Sequence, residues 1–109
     1  MNDIKIAIEG TAASEAAQAL FEIEGLSGEY ENDPDVRRDG GLTVIATVVA
    51  VVGGTMAIAE QIRKWYAEYK SKQGVKKLEK VLIVTRNGRF LLEDATIEEI
   101  AKALEPLAK

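Results

Sequence analysis

A chain of 109 residues carrying a formal net charge of −4 has room for one modest core, so a single domain over residues 1–109 is expected. It contains no Cys and no His, which excludes disulfides, thiolate nucleophiles, thiolate zinc sites and every imidazole-based acid–base scheme. Apolar residues at 47% and charged residues at 29% argue against wholesale disorder, and Met1–Ile4 has no basic region leading into an apolar run, so a cytoplasmic protein without a secretory signal is expected.

Ile4-Lys5-Ile6-Ala7-Ile8 alternates and predicts a first strand with Ile4, Ile6 and Ile8 on one side. Gly10 ends it, and Thr11 or Ser14 is placed to cap a helix running roughly from Ser14 to Glu24. Ala17, Leu20 and Phe21 share a face of that helix, and Gly25 stands where a C-terminal stop belongs. A short strand around Gly28 to Glu31 follows, with Tyr30 expected to point inward. Strand, helix and strand within about 30 residues read as a β-α-β unit with a parallel pair.

Asn32-Asp33-Pro34-Asp35 and Arg37-Arg38-Asp39-Gly40-Gly41 predict a turn or loop. Leu42 to Ala59 is then an uncharged block of 18 residues. The β-branched run Val44 to Val49 allows a buried strand ending at Gly53-Gly54. Helix is preferred, because so long an apolar run without alternation exceeds a usual strand. A helix unbroken from Leu42 to Lys70 would be about 43 Å long, against a radius of gyration of about 13 Å for a domain of this size. It would outreach its own domain. Either Gly53-Gly54 bends it or its apolar end is covered by something else.

From Glu60 the pattern turns polar and helical, with Ile62, Trp65, Tyr66 and Tyr69 on one face. Lys72-Gln73-Gly74 supplies the stop, and Lys70 and Lys72 suit the negative end of the helix. Val81 to Thr85 is the strongest strand, Asn87-Gly88 a tight hairpin turn, and Phe90-Leu91-Leu92 the returning strand. Thr96-Ile97-Glu98-Glu99 is a capping box opening a last helix with Ile97, Ile100, Ala101 and Leu104 as its apolar stripe, closed by Pro106. The order β-α-β-α-β-β-α predicts an α+β fold: a mixed four-stranded sheet with helices packed on it and one long apolar central helix.

No catalytic set, metal-ligand cluster or cofactor motif emerges. Gly53-Gly54 lacks the Lys-Ser/Thr or Gly-x-Gly spacing of a phosphate-binding loop, so a helix bend or close packing is expected there. Glu93-Asp94 and Glu98-Glu99 fit a solvated first turn and cap. Arg63-Lys64-Trp65-Tyr66 with Tyr69 mixes basic and aromatic residues as single-strand nucleic-acid binders do, yet the helical projection puts the aromatics on a packed stripe. Trp65 and Tyr66 would also suit a membrane interface, and Leu42–Ala59 inserting in a bilayer is the alternative to a helix buried in protein.

Charge divides along the chain. Glu9, Glu15, Glu22, Glu24, Glu29, Glu31, Asp33 and Asp35 fall in a stretch without Lys or Arg, whereas Arg63, Lys64, Lys70, Lys72, Lys76, Lys77 and Lys80 dominate the stretch from Glu60. Two solvated faces account for this, and so would head-to-tail attraction between copies.

The succession of the Ile4–Ile8 strand, the glycine-interrupted Val44–Ala59 block, Trp65, the Asn87-Gly88-Arg89 turn and the Ile97–Leu104 helix resembles the effector-associated constant components of bacterial conflict systems. The Lys/Tyr-rich stretch from Tyr66 to Lys80 departs from that pattern. The resemblance implies a small α+β adaptor without enzymatic activity, linking an effector such as a peptidase to an oligomerising sensor. The expectation is therefore a protein-interaction domain of bacterial defence or signalling, without small-molecule substrate or cofactor, whose partner is such a protein or another copy of itself. Its contact surface is expected at Val44, Val48, Val49, Val52 and Met56 and at Arg63, Lys64, Trp65, Tyr66 and Tyr69.

Overall fold

The computed structural model describes residues 4–32, 42–71, 78–86 and 88–108. Five strands form one sheet: β1 (Ile4–Gly10), β2 (Leu26–Asn32), β3 (Leu42–Val51), β4 (Leu78–Thr85) and β5 (Gly88–Leu91). Three α-helices accompany them, α1 (Ala13–Leu20), α2 (Thr55–Ser71) and α3 (Ile97–Leu104), with 3₁₀ turns at Leu92–Asp94 and Glu105–Leu107. The spatial order is β2-β3-β1-β4-β5, and every neighbouring pair is antiparallel.

Two expectations are corrected here. The sheet has five strands and is antiparallel, where four in a mixed sheet were expected. β1 and β2 do run in the same direction, but β3 lies between them, so the first β-α-β unit is split. β3-α2-β4 is split in the same way around β1. Two interlocked split units make the β-α-β-β-α-β arrangement known as ferredoxin-like, here extended by β5 and α3.

The second correction concerns the uncharged block. It is no helix: Leu42–Val51 is a strand, Gly53 turns the chain with φ +102°, and α2 starts only at Thr55. The β-branched residues do alternate, with Val44, Ala46 and Val48 buried and Thr43, Ile45 and Thr47 half-buried on the opposite face. A bulge then reverses the parity. Ser27 pairs with Ala50 and Gly28 with Val48, so exposed Val49 has no partner on β2 and Val51 returns to the core. Two half-apolar faces and a bulge together hide a period of 2 inside an apparently continuous apolar run. The remaining helix has 17 residues, about 25 Å long, and no longer outreaches a molecule measuring 39 × 27 × 23 Å.

One sheet face is buried. Register puts Ile4, Ile6 and Ile8 of β1 beside Val48, Ala46 and Val44 of β3, and Ile6 and Ile8 beside Ile83 and Val81 of β4. The helices cover this face with Ala13, Ala16, Ala17 and Leu20 from α1, Ile58, Ala59, Ile62, Trp65 and Tyr66 from α2, and Ile100, Ala101 and Leu104 from α3. The alanines of α1 let it sit close to the sheet, and Trp65 Nε1 donates to the Ala16 carbonyl at 2.8 Å, tying α2 to α1. The C-terminal segment returns beneath the sheet end, where Ala108 bridges Val51.

Local signals at several ends are realised. Thr96 Oγ1 accepts from Glu99 N and Glu99 Oε1 accepts from Thr96 N, both at 3.1 Å, completing the capping box. Gly88 opens β5 with φ +140°, while Asn87 of the same turn lies outside the described residues. So do the stop at Lys72-Gln73-Gly74 and the loop from Asp33 to Gly41. The first helix differs: it runs Ala13–Leu20 with Ala12 at its N-cap position, where Ser14 to Glu24 with Thr11 or Ser14 as the cap was expected.

Candidate interaction surface

Antiparallel alternation that sends one set of side chains into the core must send the other set outward, and none of the described helices packs on that second face. Across its middle, Ala7 of β1 is flanked by Ile45 of β3 and Leu82 of β4, and Leu91 of β5 pairs with Leu82. These four apolar side chains, all half-buried, form a row crossing four strands. The row on one side holds Glu29, Thr47, Lys5, Val84 and Arg89, and the row on the other holds Thr43, Glu9 and Lys80. Glu9 and Lys80 are cross-strand partners of opposite charge. The face is thus an apolar stripe between two polar margins, acidic at the β2 edge and basic at the β5 edge.

Sequence reasoning did not find this stripe. Its signal was present in the outward positions between inward ones, Ala7 between Ile6 and Ile8 and Leu82 between Val81 and Ile83, but without the register these look like ordinary strand filler.

The ten residues expected at the contact surface divide into separate places. Val44 and Val48 are 0% exposed and belong to the core, so they present nothing to a partner. Trp65 and Tyr66 are also buried, as the packed-stripe reading of α2 requires. Arg63 is half-buried and its Nη1 donates to the Leu92 carbonyl at 3.2 Å, fastening α2 to the turn after β5. Lys64 is exposed, Tyr69 half-buried, and both line a groove of about 740 Å³ with Glu22, Glu24 and Glu68. Val49, Val52 and Met56 are exposed at 54%, 59% and 46%, around the bulge and the β3–α2 turn. Only these three keep the character of an apolar surface.

Burial raises the Tyr66 pKa above the ordinary value of 10.0, and Glu93 and Asp94 add to the shift while Arg63 opposes it. Tyr69 is raised as well, by burial first and then by Glu68, Glu15 and Glu22. Both phenols stay protonated at neutral pH and act as packing groups with a polar tip. Among the described residues no cluster of three or more Asp or Glu side chains is arranged to hold a metal ion. No helix among them is long and apolar enough to cross a membrane.

No family model, curated protein or solved structure matches this chain.

Proposed function

We propose that this chain is a non-enzymatic protein-interaction domain that docks a partner through the open face of its sheet, as an adaptor of a bacterial defence or signalling system. The observation that carries this reading is the row Ile45, Ala7, Leu82 and Leu91, a half-exposed apolar stripe with polar margins that none of the described helices covers. An apolar centre inside a polar rim is the anatomy of a protein interface. The sequence resemblance to effector-associated constant components supports an effector such as a peptidase, or an oligomerising sensor, as the partner.

Nucleic acid suits the face poorly. Single-strand binding on such a sheet rests on aromatic side chains that stack with bases. Here the aromatic strand residues Tyr30 and Phe90 pair with Ala46 and Ile83 on the helix-covered side, and the outward central positions are Lys5, Ala7, Glu9, Thr43, Ile45 and Thr47. The alternative of a bilayer anchor at Leu42–Ala59 would require β3 to leave the sheet and expose the buried set Val44, Ala46, Val48 and Val51.

Leu82→Lys tests the docking reading. It places a charge in the middle of the stripe without touching the buried face, so circular dichroism and thermal unfolding stay close to wild type. Co-purification with proteins encoded beside this one is expected to fall by tenfold or more, a change of about 1.4 kcal/mol. Undiminished capture by a folded Leu82→Lys protein would remove the open face as the docking site.

A further inference from the structure

The sheet ends in two exposed edge strands of opposite charge, β2 with Glu29 and Glu31 and β5 with Arg89, the latter beside Arg86. Unpaired strand edges are templates for further pairing unless something blunts them. Charge blunts each edge only against itself: β2 meeting β2 sets carboxylates against carboxylates, and β5 meeting β5 sets guanidiniums against guanidiniums. From these edges we infer that β5 of one molecule receives β2 of a second copy, joining the two sheets into one and leaving both outer edges open for further copies.

Three features of the fold agree on this arrangement. Strand direction comes first. β1 and β2 run together, β4 runs against β1, and β5 runs against β4, so β5 and β2 point the same way and meet as a parallel pair with the helices of both copies on one side. In that orientation the side-chain alternation matches. Glu29 and Glu31 share the open face with Arg89, through their partners Thr47, Ile45 and Val84.

On the helix side, Tyr30 of the second copy comes to the same side as Phe90. Tyr30 is stacked on Phe21 at 6.2 Å yet remains 40% exposed. Beside Phe90 the first copy has an open groove of about 900 Å³ between β5 and α3, lined by Ala103, Pro106, Arg86, Arg89, Lys102 and Glu99 among others. Among the described residues of that lining Glu99 is the one carboxylate, and its Oε1 accepts the Thr96 N–H of the cap. The groove therefore offers an apolar wall for the free side of the Tyr30 ring, while on the open face Arg89 meets the acidic β2 edge.

A contact between two different surfaces of the same chain does not close on itself as a two-fold contact does. Association should build with concentration as a ladder of species and weaken with salt, since the charges are exposed and screened. This inference enlarges the self-association already within the adaptor reading, but it rests on the strand edges and leaves the open-face stripe free for another protein.

Sedimentation velocity over a rising protein concentration, at low and high salt, tests it. Wild type is expected to form dimers and longer species at low salt and to revert toward monomer at high salt. Arg86→Glu/Arg89→Glu makes both edges acidic, and Glu29→Arg/Glu31→Arg makes both basic, so each alone loses association by roughly tenfold or more. An equal mixture of the two variants regains it, because each edge again faces its opposite. Circular dichroism confirms that both variants are folded. Leu82→Lys, the variant that breaks open-face docking, self-associates like wild type, which separates the two readings. A wild type that stays monomeric at the highest concentration in low salt overturns the inference. So do charge variants that associate undiminished, or a mixture of folded variants that fails to regain association.

Discussion

Single side chains decide the local geometry at a few places. A Cβ on Gly28 would lie inside contact distance of the Thr47 carbonyl oxygen and 2.8 Å from the Phe21 ring, at the point where the β2–β3 register slips. Gly28→Ala is expected to destabilise the protein by about 1–3 kcal/mol, whereas Gly53→Ala, strained at φ +102° but in open space, should cost about 1 kcal/mol. Urea unfolding midpoints of the two variants check the order. Tyr66 supplies a pH dependence. Its folded pKa lies above the ordinary 10.0, so its contribution is intact below that pH and is lost as pH rises through the folded value. Stability should therefore decline above about pH 10, and Tyr66→Phe should flatten the decline. A Phe variant with the same alkaline slope as wild type would show that other groups set it.

At the level of elements, β3 shows how a strand can pass for a helix. Its outward positions are threonines, Ile45 and Val49, and its bulge then breaks the alternation so that Val51 is buried in place of Ala50. Neighbouring valines consequently have opposite fates. Val48→Lys puts an unpaired charge in the core and should abolish folding, a loss of several kcal/mol, while Val49→Lys should fold normally with a change within about 0.5 kcal/mol. Thermal melts of the pair give the answer, and equal behaviour would contradict the strand's alternation. The opposite case is α3, whose start is dictated locally. Thr96→Ala removes one half of the capping box and should cost about 1 kcal/mol without altering the sheet.

For the whole molecule, the order β2-β3-β1-β4-β5 makes β1 the central strand, hydrogen-bonded on both sides and roofed by helices. Native-state amide exchange should be slowest in β1 and its partners β3 and β4, and fastest in β2 and β5. Protection of β5 equal to that of β1 in dilute monomer would contradict the order. Because the central strand comes first in the chain and its neighbours come from β3 and β4, folding must close long loops before the core is complete. The same topology sorts charge: the acidic stretch that includes Glu29 and Glu31 ends on one edge, and Arg89 stands on the other.

Residue order by itself determined most of what depends on near neighbours in the chain. The alternation of Ile4 to Ile8, the stripe Ile62, Trp65, Tyr66 and Tyr69, the hairpin partners Val81–Thr85 and Phe90–Leu92 (Leu92 itself falling in the 3₁₀ turn), and the Thr96–Glu99 box all express periods or contacts within a few residues. The tertiary structure alone decided that Leu42–Val51 is a strand and that Val44 and Val48 are core. It alone decided that β3 separates β1 from β2 and that Ala7, Ile45, Leu82 and Leu91 meet on one face. The physical reason is one of range. A β-branched apolar segment satisfies its backbone either within itself or against distant strands, and only the presence of β1 and β2 on its two sides, far away in sequence, settles which.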